Sequence, residues 1–368
     1  MPLTSRITRW GILGTGPMAA QFVRSLARLP EARAVAVGSR SAGSAAEFAR
    51  RTGIARSFGS YDALLADPGI DVVYIATVNV THHPLCLRTL DAGKPVLCEK
   101  PFTLNAAQAR EVVARARQRG LFCMEAMWTR FLPATVQLKK LIDGDAIGTP
   151  RMFSAQIGYP FVADLEGRQL NPGLGGGALL DLGVYPVSLA SFLFGLPEAA
   201  VGRATLAGTG VDESDAIVLQ HAGGRLSVLA VSVAMATPNE AVVMGTRGQI
   251  RLHEPFLRLQ RLTIRTASSL ASSAEASGGR LARFKRSALV QTAYQRVGPL
   301  ITTLLGRGTR RVVAPCEGEG YQYEAAEVMR CLGEGRLESP IMPLDETIGI
   351  LATLDELRRQ WGVQFPAE

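Results

Sequence analysis

The chain has no paired cysteines: Cys86, Cys98, Cys123, Cys316 and Cys331 are five in number, widely spaced and without a CxxC. That pattern argues against a disulfide framework or a zinc ribbon and for reduced thiols in the cytosol. No cleavable apolar leader precedes the first strand pattern, which begins by Trp10, so no export signal is expected. The longest apolar window, residues 179–196, is interrupted by Asp181 and Pro186 and lacks cationic flanks. It reads as a buried helix, not a membrane span. Acid is scarce in one region: Arg258 to Arg311 holds eleven Lys or Arg against Glu275 alone. With a formal net charge of +8 overall, that segment carries +10 and the remainder −2. A near-neutral body with one basic insert excludes a chain built as a whole for nucleic acid, and no nucleic-acid partner is expected.

What is present is ample apolar content, 47% of 368 residues, enough for two domains. The chain opens with an apolar strand running into Gly14-Thr15-Gly16-Pro17-Met18-Ala19 and a helical pattern, a dinucleotide fingerprint in its required context. Gly14 permits the tight turn, Gly16 lets the backbone approach a pyrophosphate, and Pro17 suits the first helical turn, whose amino terminus attracts phosphate. The second strand, residues 34–38, ends at Ser39-Arg40, where an NAD site keeps an acid for the ribose hydroxyls. A hydroxyl and a guanidinium there match a 2′-phosphate, which predicts NADP over NAD. A third buried strand, residues 70–77, leads into Thr77, Asn79 and His82, all expected at the cofactor, with His82 in a packing role and not as an acid or base.

The fourth strand stops at Glu99-Lys100-Pro101. Proline ends the ladder and restricts Lys100, which makes this lysine the first candidate for chemistry, with Glu99 beside the cofactor. A helix over 106–116 and a short strand at 121–124 complete an alternation of strand and helix, and hence a doubly wound parallel sheet. The boundary of a 1–123 nucleotide domain falls near Cys123. Residues 124–368 form the second domain, where the Gly-rich run 173–177 leads into a helix with Asp181 and Tyr185 four apart and so on one face. From the residues alone that pair reads equally as satisfied core polar groups.

The fingerprint, Glu99-Lys100-Pro101 and the Gly-rich helix with Asp181, in that order, resemble the Gfo/Idh/MocA oxidoreductase family over nearly the whole chain. Tyr185 stands where most members place a histidine, and Met124 to Phe131, Glu338-Ser339-Pro340 and Phe365-Pro366 resemble the subset containing dimeric dihydrodiol dehydrogenase and NADP-dependent D-xylose 1-dehydrogenase. The common family pattern has an aspartate three or four residues after the catalytic position, where this chain has Ser188 and Leu189.

The resemblance implies an amino-terminal Rossmann domain and a carboxy-terminal α/β domain with a large, mostly antiparallel open-faced sheet used for dimerisation. It also implies hydride transfer between NADP and a sugar, polyol or cyclic trans-diol. Tyr185 would take the proton, Lys100 would lower the tyrosine pKa, and Asp181 would orient Lys100 or a substrate hydroxyl. Trp128, Arg130 and Phe161 are expected at the substrate. A non-catalytic NADP-binding regulator of the same fold is the alternative. The basic insert at 262–311, with helical spacing from Leu281, reads as a lid, a dimer arm or a membrane-surface or acidic-partner contact.

Overall fold

A computed structural model of the protein describes residues 7–161, 164–266 and 309–368. The first domain alternates as the sequence predicts: β1 (Thr8–Leu13), α1 (Pro17–Leu26), β2 (Ala32–Gly38), α2 (Ala42–Thr52), β3 (Arg56–Phe58), α3 (Tyr61–Leu65), β4 (Val72–Ile75), α4 (His82–Asp91), β5 (Val96–Glu99), α5 (Ala106–Arg119) and β6 (Cys123–Ala126). All six strands are parallel, in the order β3-β2-β1-β4-β5-β6. The order reverses between β1 and β4, and the crevice beyond the strand ends there is where such sheets bind a ligand. Local chemistry sets the helix ends. Ser41 caps α2 by accepting from the Ser44 amide at 3.3 Å, Asn105 caps α5 through the Gln108 amide at 2.9 Å, and Gly53 and Gly120 end these helices in the left-handed region. β4 and β5 are buried at every residue, which is why they read as continuous apolar runs. Phe22 stacks on Tyr74 with ring centroids 3.7 Å apart and meets Trp10 edge-on, which seats α1 on the sheet.

β6 runs to Ala126 and pairs with β5, so the parallel sheet continues three residues past the boundary expected at Cys123. Beyond it come α6 (Pro133–Asp143), β7 (Pro150–Gly158), α7 (Val184–Phe194), β8 (Pro197–Leu206), β9 (Asp212–His221), β10 (Arg225–Ser232), β11 (Ala241–Gly245), β12 (Gly248–Leu252), β13 (Arg261–Thr266), β14 (Thr309–Val313), α8 (Tyr321–Gly333) and α9 (Leu344–Trp361). The strands form one eight-stranded sheet, β14-β13-β12-β11-β7-β10-β9-β8, antiparallel except for β7 with β10. The described ends of the basic insert, β13 and β14, extend this sheet as a hairpin. Its helical pattern from Leu281, and with it the lid, dimer-arm and membrane-surface readings, lies outside the described residues.

One face of this sheet is covered by α7, whose residues are nearly all buried. The segment Pro172–Phe194 is long and apolar enough to cross a membrane, but 94% of its most apolar window is buried inside the molecule, so the core-helix expectation holds. α8 and α9 return to the first domain. Asp355 accepts from the Ala106 amide at the start of α5 (2.8 Å), and Glu125 on β6 accepts from Thr347 (3.1 Å).

Candidate active site

A cavity of about 600 Å3 lies along the carboxyl ends of β1, β4 and β5. It is lined by Gly14 to Met18, Ser39, Arg40, Thr77, Asn79, His82, Glu99, Lys100 and Tyr185, so the expected cofactor residues are brought together with two of the expected catalytic ones. A dinucleotide fits this floor. A Cβ at Gly14 would meet the Ala76 carbonyl oxygen at 2.4 Å with φ at +110°, whereas the space at Gly16 is open for 4 Å, leaving the amino terminus of α1 accessible to phosphate. Arg40 is exposed at the far end, with Tyr61 as its neighbour across the rim.

Four of the lining residues also hold the wall. Thr77 accepts from the Thr81 hydroxyl at 2.7 Å, and Asn79 donates to the Gly175 carbonyl at 2.8 Å, tying the first domain to the Gly-rich loop of the second. His82 lies between the carbonyl oxygens of Pro101 (2.8 Å) and Thr77 (3.2 Å), and burial pushes its pKa down to about 4. His82 thus lines the cavity from a buried position. Glu99 accepts from the Tyr74 hydroxyl and the Lys100 amide (3.1 Å), and burial raises its carboxyl above the usual range.

Lys100 is the hub. Its ammonium donates to the Asp181 carbonyl oxygen at 2.6 Å and to Asp181 Oδ1 at 3.2 Å, and sits 4.6 Å from the centre of the Tyr185 ring. Asp181 also takes two bonds from Arg168, at 2.9 and 3.3 Å. Burial pushes the Asp181 carboxyl upward, but the two cations outweigh it and hold the pKa below the ordinary value. Burial opposes the charge on Lys100 as well, and Tyr185 and Asp181 overcome it, leaving that pKa raised. The Asp181 carboxylate is thus shared between two cations, Lys100 and Arg168.

One expectation for Tyr185 changes. Leu179–Gly183 is a π-helical turn that passes into α7 at Val184. Asp181 and Tyr185 both reach the Lys100 ammonium from it. Asp212 on β9 holds this turn by accepting from the Leu179 amide at 2.5 Å. The pKa of Tyr185 is raised, not lowered: burial of the phenol dominates and the Lys100 charge offsets it only in part.

Of the residues expected at the substrate, Trp128 reaches the site. Its indole N–H donates to the Tyr185 hydroxyl at 3.3 Å, and its ring lies 5.0 Å from that of Tyr321. Arg130 does not. Its guanidinium, 1% exposed, is consumed by the Ser188 hydroxyl (2.9 Å), the Ser188 and Ile341 carbonyls (2.7 and 3.0 Å) and Glu346 (2.8 Å). Ser188 is thus a partner of this buried arginine. Phe161 is 40% exposed and lies outside the cavity wall. Sequence reasoning missed Arg168 and Tyr321, both in the cavity wall. Arg168 lies in a loop without periodicity, and Tyr321 opens an amphipathic helix that reads as core; the one available signal was the proximity of Arg168 to the Gly-rich run.

Fold and site together define a two-domain, nicotinamide-dinucleotide type of oxidoreductase, with a lysine, an aspartate and a tyrosine closing one end of the cofactor cleft. The chain belongs to the Gfo/Idh/MocA oxidoreductase family. The model of its NAD-binding Rossmann domain matches residues 8–127, and the model of its C-terminal domain matches residues 135–251. The trans-1,2-dihydrobenzene-1,2-diol dehydrogenase of Mus musculus is 37% identical over 98% of both chains, and that of Xenopus laevis 34% identical over 98% of this chain and 99% of its own. Among solved structures, a 3-ketoreductase from Actinomadura kijaniata in complex with NADP and TDP-benzene superposes with a TM-score of 0.78 at 23% identity, covering 96% of this chain and 98% of its own. An aldose-aldose oxidoreductase from Caulobacter crescentus complexed with glycerol gives a TM-score of 0.78 at 22% identity, covering 96% and 97%. These two are likenesses of fold.

Proposed function

We propose that the protein is an NADP-dependent dehydrogenase/reductase acting on a CH–OH group of a sugar, polyol or cyclic trans-diol. The observation that carries this reading is the contact of Lys100 with both Asp181 and the Tyr185 ring at the end of the cofactor cleft. Nicotinamide, when bound, supplies or accepts the hydride. The chain's own part is to move the proton at the substrate oxygen. With its pKa raised by burial, Tyr185 keeps its proton at neutral pH and is suited to donate it to a carbonyl oxygen in reduction. In oxidation it must first lose that proton, and the Lys100 charge beside it favours the phenolate. Asp181 fixes the ammonium, Trp128 holds the phenol from the other side, and the Trp128–Tyr321 ring pair shields that side from water. Ser39 and Arg40 supply a hydroxyl and a guanidinium for a 2′-phosphate, and the 3-ketoreductase structure, in complex with NADP, supports that choice of cofactor.

The resemblance to the dihydrodiol dehydrogenases supports the diol branch, and reduced cysteines support a cytoplasmic setting. The outward face of the large sheet supports a homodimer: Val201, Val218 and Val228 lie side by side in register across β8, β9 and β10 at 60%, 39% and 41% exposure. The test of function is reduced-nicotinamide absorbance with purified protein, NADP against NAD, over a panel of aldopyranoses, polyols and cyclic trans-diols. NADP-dependent turnover of any of them is expected. Cofactor binding without turnover across the panel would move the reading to the non-catalytic regulator.

A further inference from the structure

Next to the cofactor cleft, across the Tyr321 ring, lies a second cavity of about 410 Å3 lined by Gln21, Trp128, Arg258, Glu319 and Tyr321. Tyr321 belongs to both cavities, and Trp128, which lines the second, bonds the Tyr185 hydroxyl. The two cavities are therefore neighbours that share the Tyr321 side chain as a common wall.

Arg258 closes the short turn Phe256–Arg258 after β12, and its position is fixed locally. Phe256 and Leu259 on either side are buried, and the Arg258 amide donates to the Pro255 carbonyl at 2.9 Å. The guanidinium gives one N–H to the Gly318 carbonyl. Its Nε is buried and has no hydrogen-bond partner, and among the described residues no carboxylate forms an ion pair with it. The Cys316 thiol is a second partner of this guanidinium and also contacts the Glu317 carbonyl at 3.6 Å, which leaves the remaining N–H groups of Arg258 for a ligand. Glu319 is the one acid in the cavity wall, and Arg24 neutralises it through two bonds at 2.8 and 3.0 Å. A second cation, Arg28, lies against the same loop, since a Cβ at Gly318 would meet its Nε at 2.3 Å. A guanidinium with donors unspent, in a cavity walled by two aromatic rings and short of free acid, is the arrangement that binds an anionic oxygen group on a ring-bearing molecule.

We propose that this cavity is a substrate subsite and that the substrate carries an anionic oxygen group, a carboxylate or a phosphate, remote from the carbon that exchanges hydride. The proposal rests on the dehydrogenase reading above and narrows its substrate class to acidic sugars or acidic diols. Arg258 binds the anion, and Trp128 and Tyr321 flank the ring that links it to the reacting hydroxyl.

Calorimetric titration of the NADP-loaded protein with glucose, glucuronate and glucose 6-phosphate tests this without requiring turnover. Binding of glucuronate or glucose 6-phosphate at least tenfold tighter than glucose is expected, and whichever acid binds better identifies a carboxylate or a phosphate as the preferred group. Arg258→Gln should abolish the advantage of the acid while leaving glucose affinity unchanged, Arg258→Lys should restore part of it, and Glu319→Gln should increase it. The opposite response to Glu319→Gln separates charge recognition from a merely structural role. Equal affinity for all three ligands, or an equal loss for neutral and acidic ligands in Arg258→Gln, would overturn the subsite. If the acids bind through Arg258 yet no hydride is transferred, the dehydrogenase reading falls and the anion site stands.

Discussion

At the scale of single residues, the proposed chemistry turns on Tyr185, whose proton burial holds and one lysine charge loosens. The sign of the pH dependence follows. A raised phenol pKa leaves the acid form in place at neutral pH, so reduction should be nearly flat from pH 6 to 8, whereas oxidation should climb as pH rises toward the tyrosine pKa. Initial rates in both directions check this, and an oxidation rate that falls with pH would exclude the tyrosine as base. Tyr185→Phe and Lys100→Met should each lower kcat by about 10^2- to 10^4-fold with NADP binding retained, the range general acid–base catalysis supplies. Lys100→Met should also move the oxidation profile to higher pH, since the charge that offsets burial is gone. At the other end of the cleft, Arg40→Asp should reverse the ratio of NADP to NAD in kcat/KM, because a carboxylate repels a 2′-phosphate and accepts from a 2′-hydroxyl. An unchanged ratio would remove Arg40 from cofactor selection.

Among the elements, the turn Leu179–Gly183 and the segment Trp128–Phe131 show how secondary structure delivers those residues. The π turn carries Asp181 to the lysine and is itself anchored by Asp212 from the sheet. The Trp128–Phe131 turn sends one side chain into the site and the next but one into the core. Trp128 bonds Tyr185, while Arg130 ties α7 and α9 through Ser188 and Glu346. Removing one partner of a buried pair leaves the other charge uncompensated, so Arg130→Met should cost about 3–5 kcal/mol of stability. Urea unfolding measures that cost. A variant with unchanged stability and a raised KM would return Arg130 to the substrate.

For the whole molecule, the two sheets divide the work: the parallel one offers strand ends to the cofactor, and the antiparallel one has α7 on its inner face and, among the described residues, exposed valines on its outer face. The exposed valines of β8, β9 and β10 are placed by strict alternation, in which each buried neighbour, such as Ile217 or Leu229, forces the next side chain outward. The double substitution Val218→Glu, Val228→Glu puts like charges opposite each other on that face without touching the core. Analytical ultracentrifugation should show a dimer for the unaltered protein and a monomer for the variant, and a dimer in both would place the contact elsewhere.

The sequence by itself determined the parallel sheet, the cofactor turn and the strand end at Lys100, because each is a local signal, whereas Asp181 and Tyr185 were singled out only by the resemblance to the family. Apolar runs of strand length, a Gly-rich turn between strand and helix, and a proline ending a strand are legible within ten residues. Short strands such as β3, half-buried at a sheet edge, carried too little pattern to be seen. Only the tertiary structure decided what long-range contact decides. It turned Arg130 from a substrate ligand into a core tie, made Arg168 the second cation on Asp181, and reversed the direction of the Tyr185 shift. The reason is that desolvation and ion pairing depend on which groups lie within a few ångströms across the fold, and partners such as Lys100 and Asp181, 81 residues apart, are not encoded in any window of the chain.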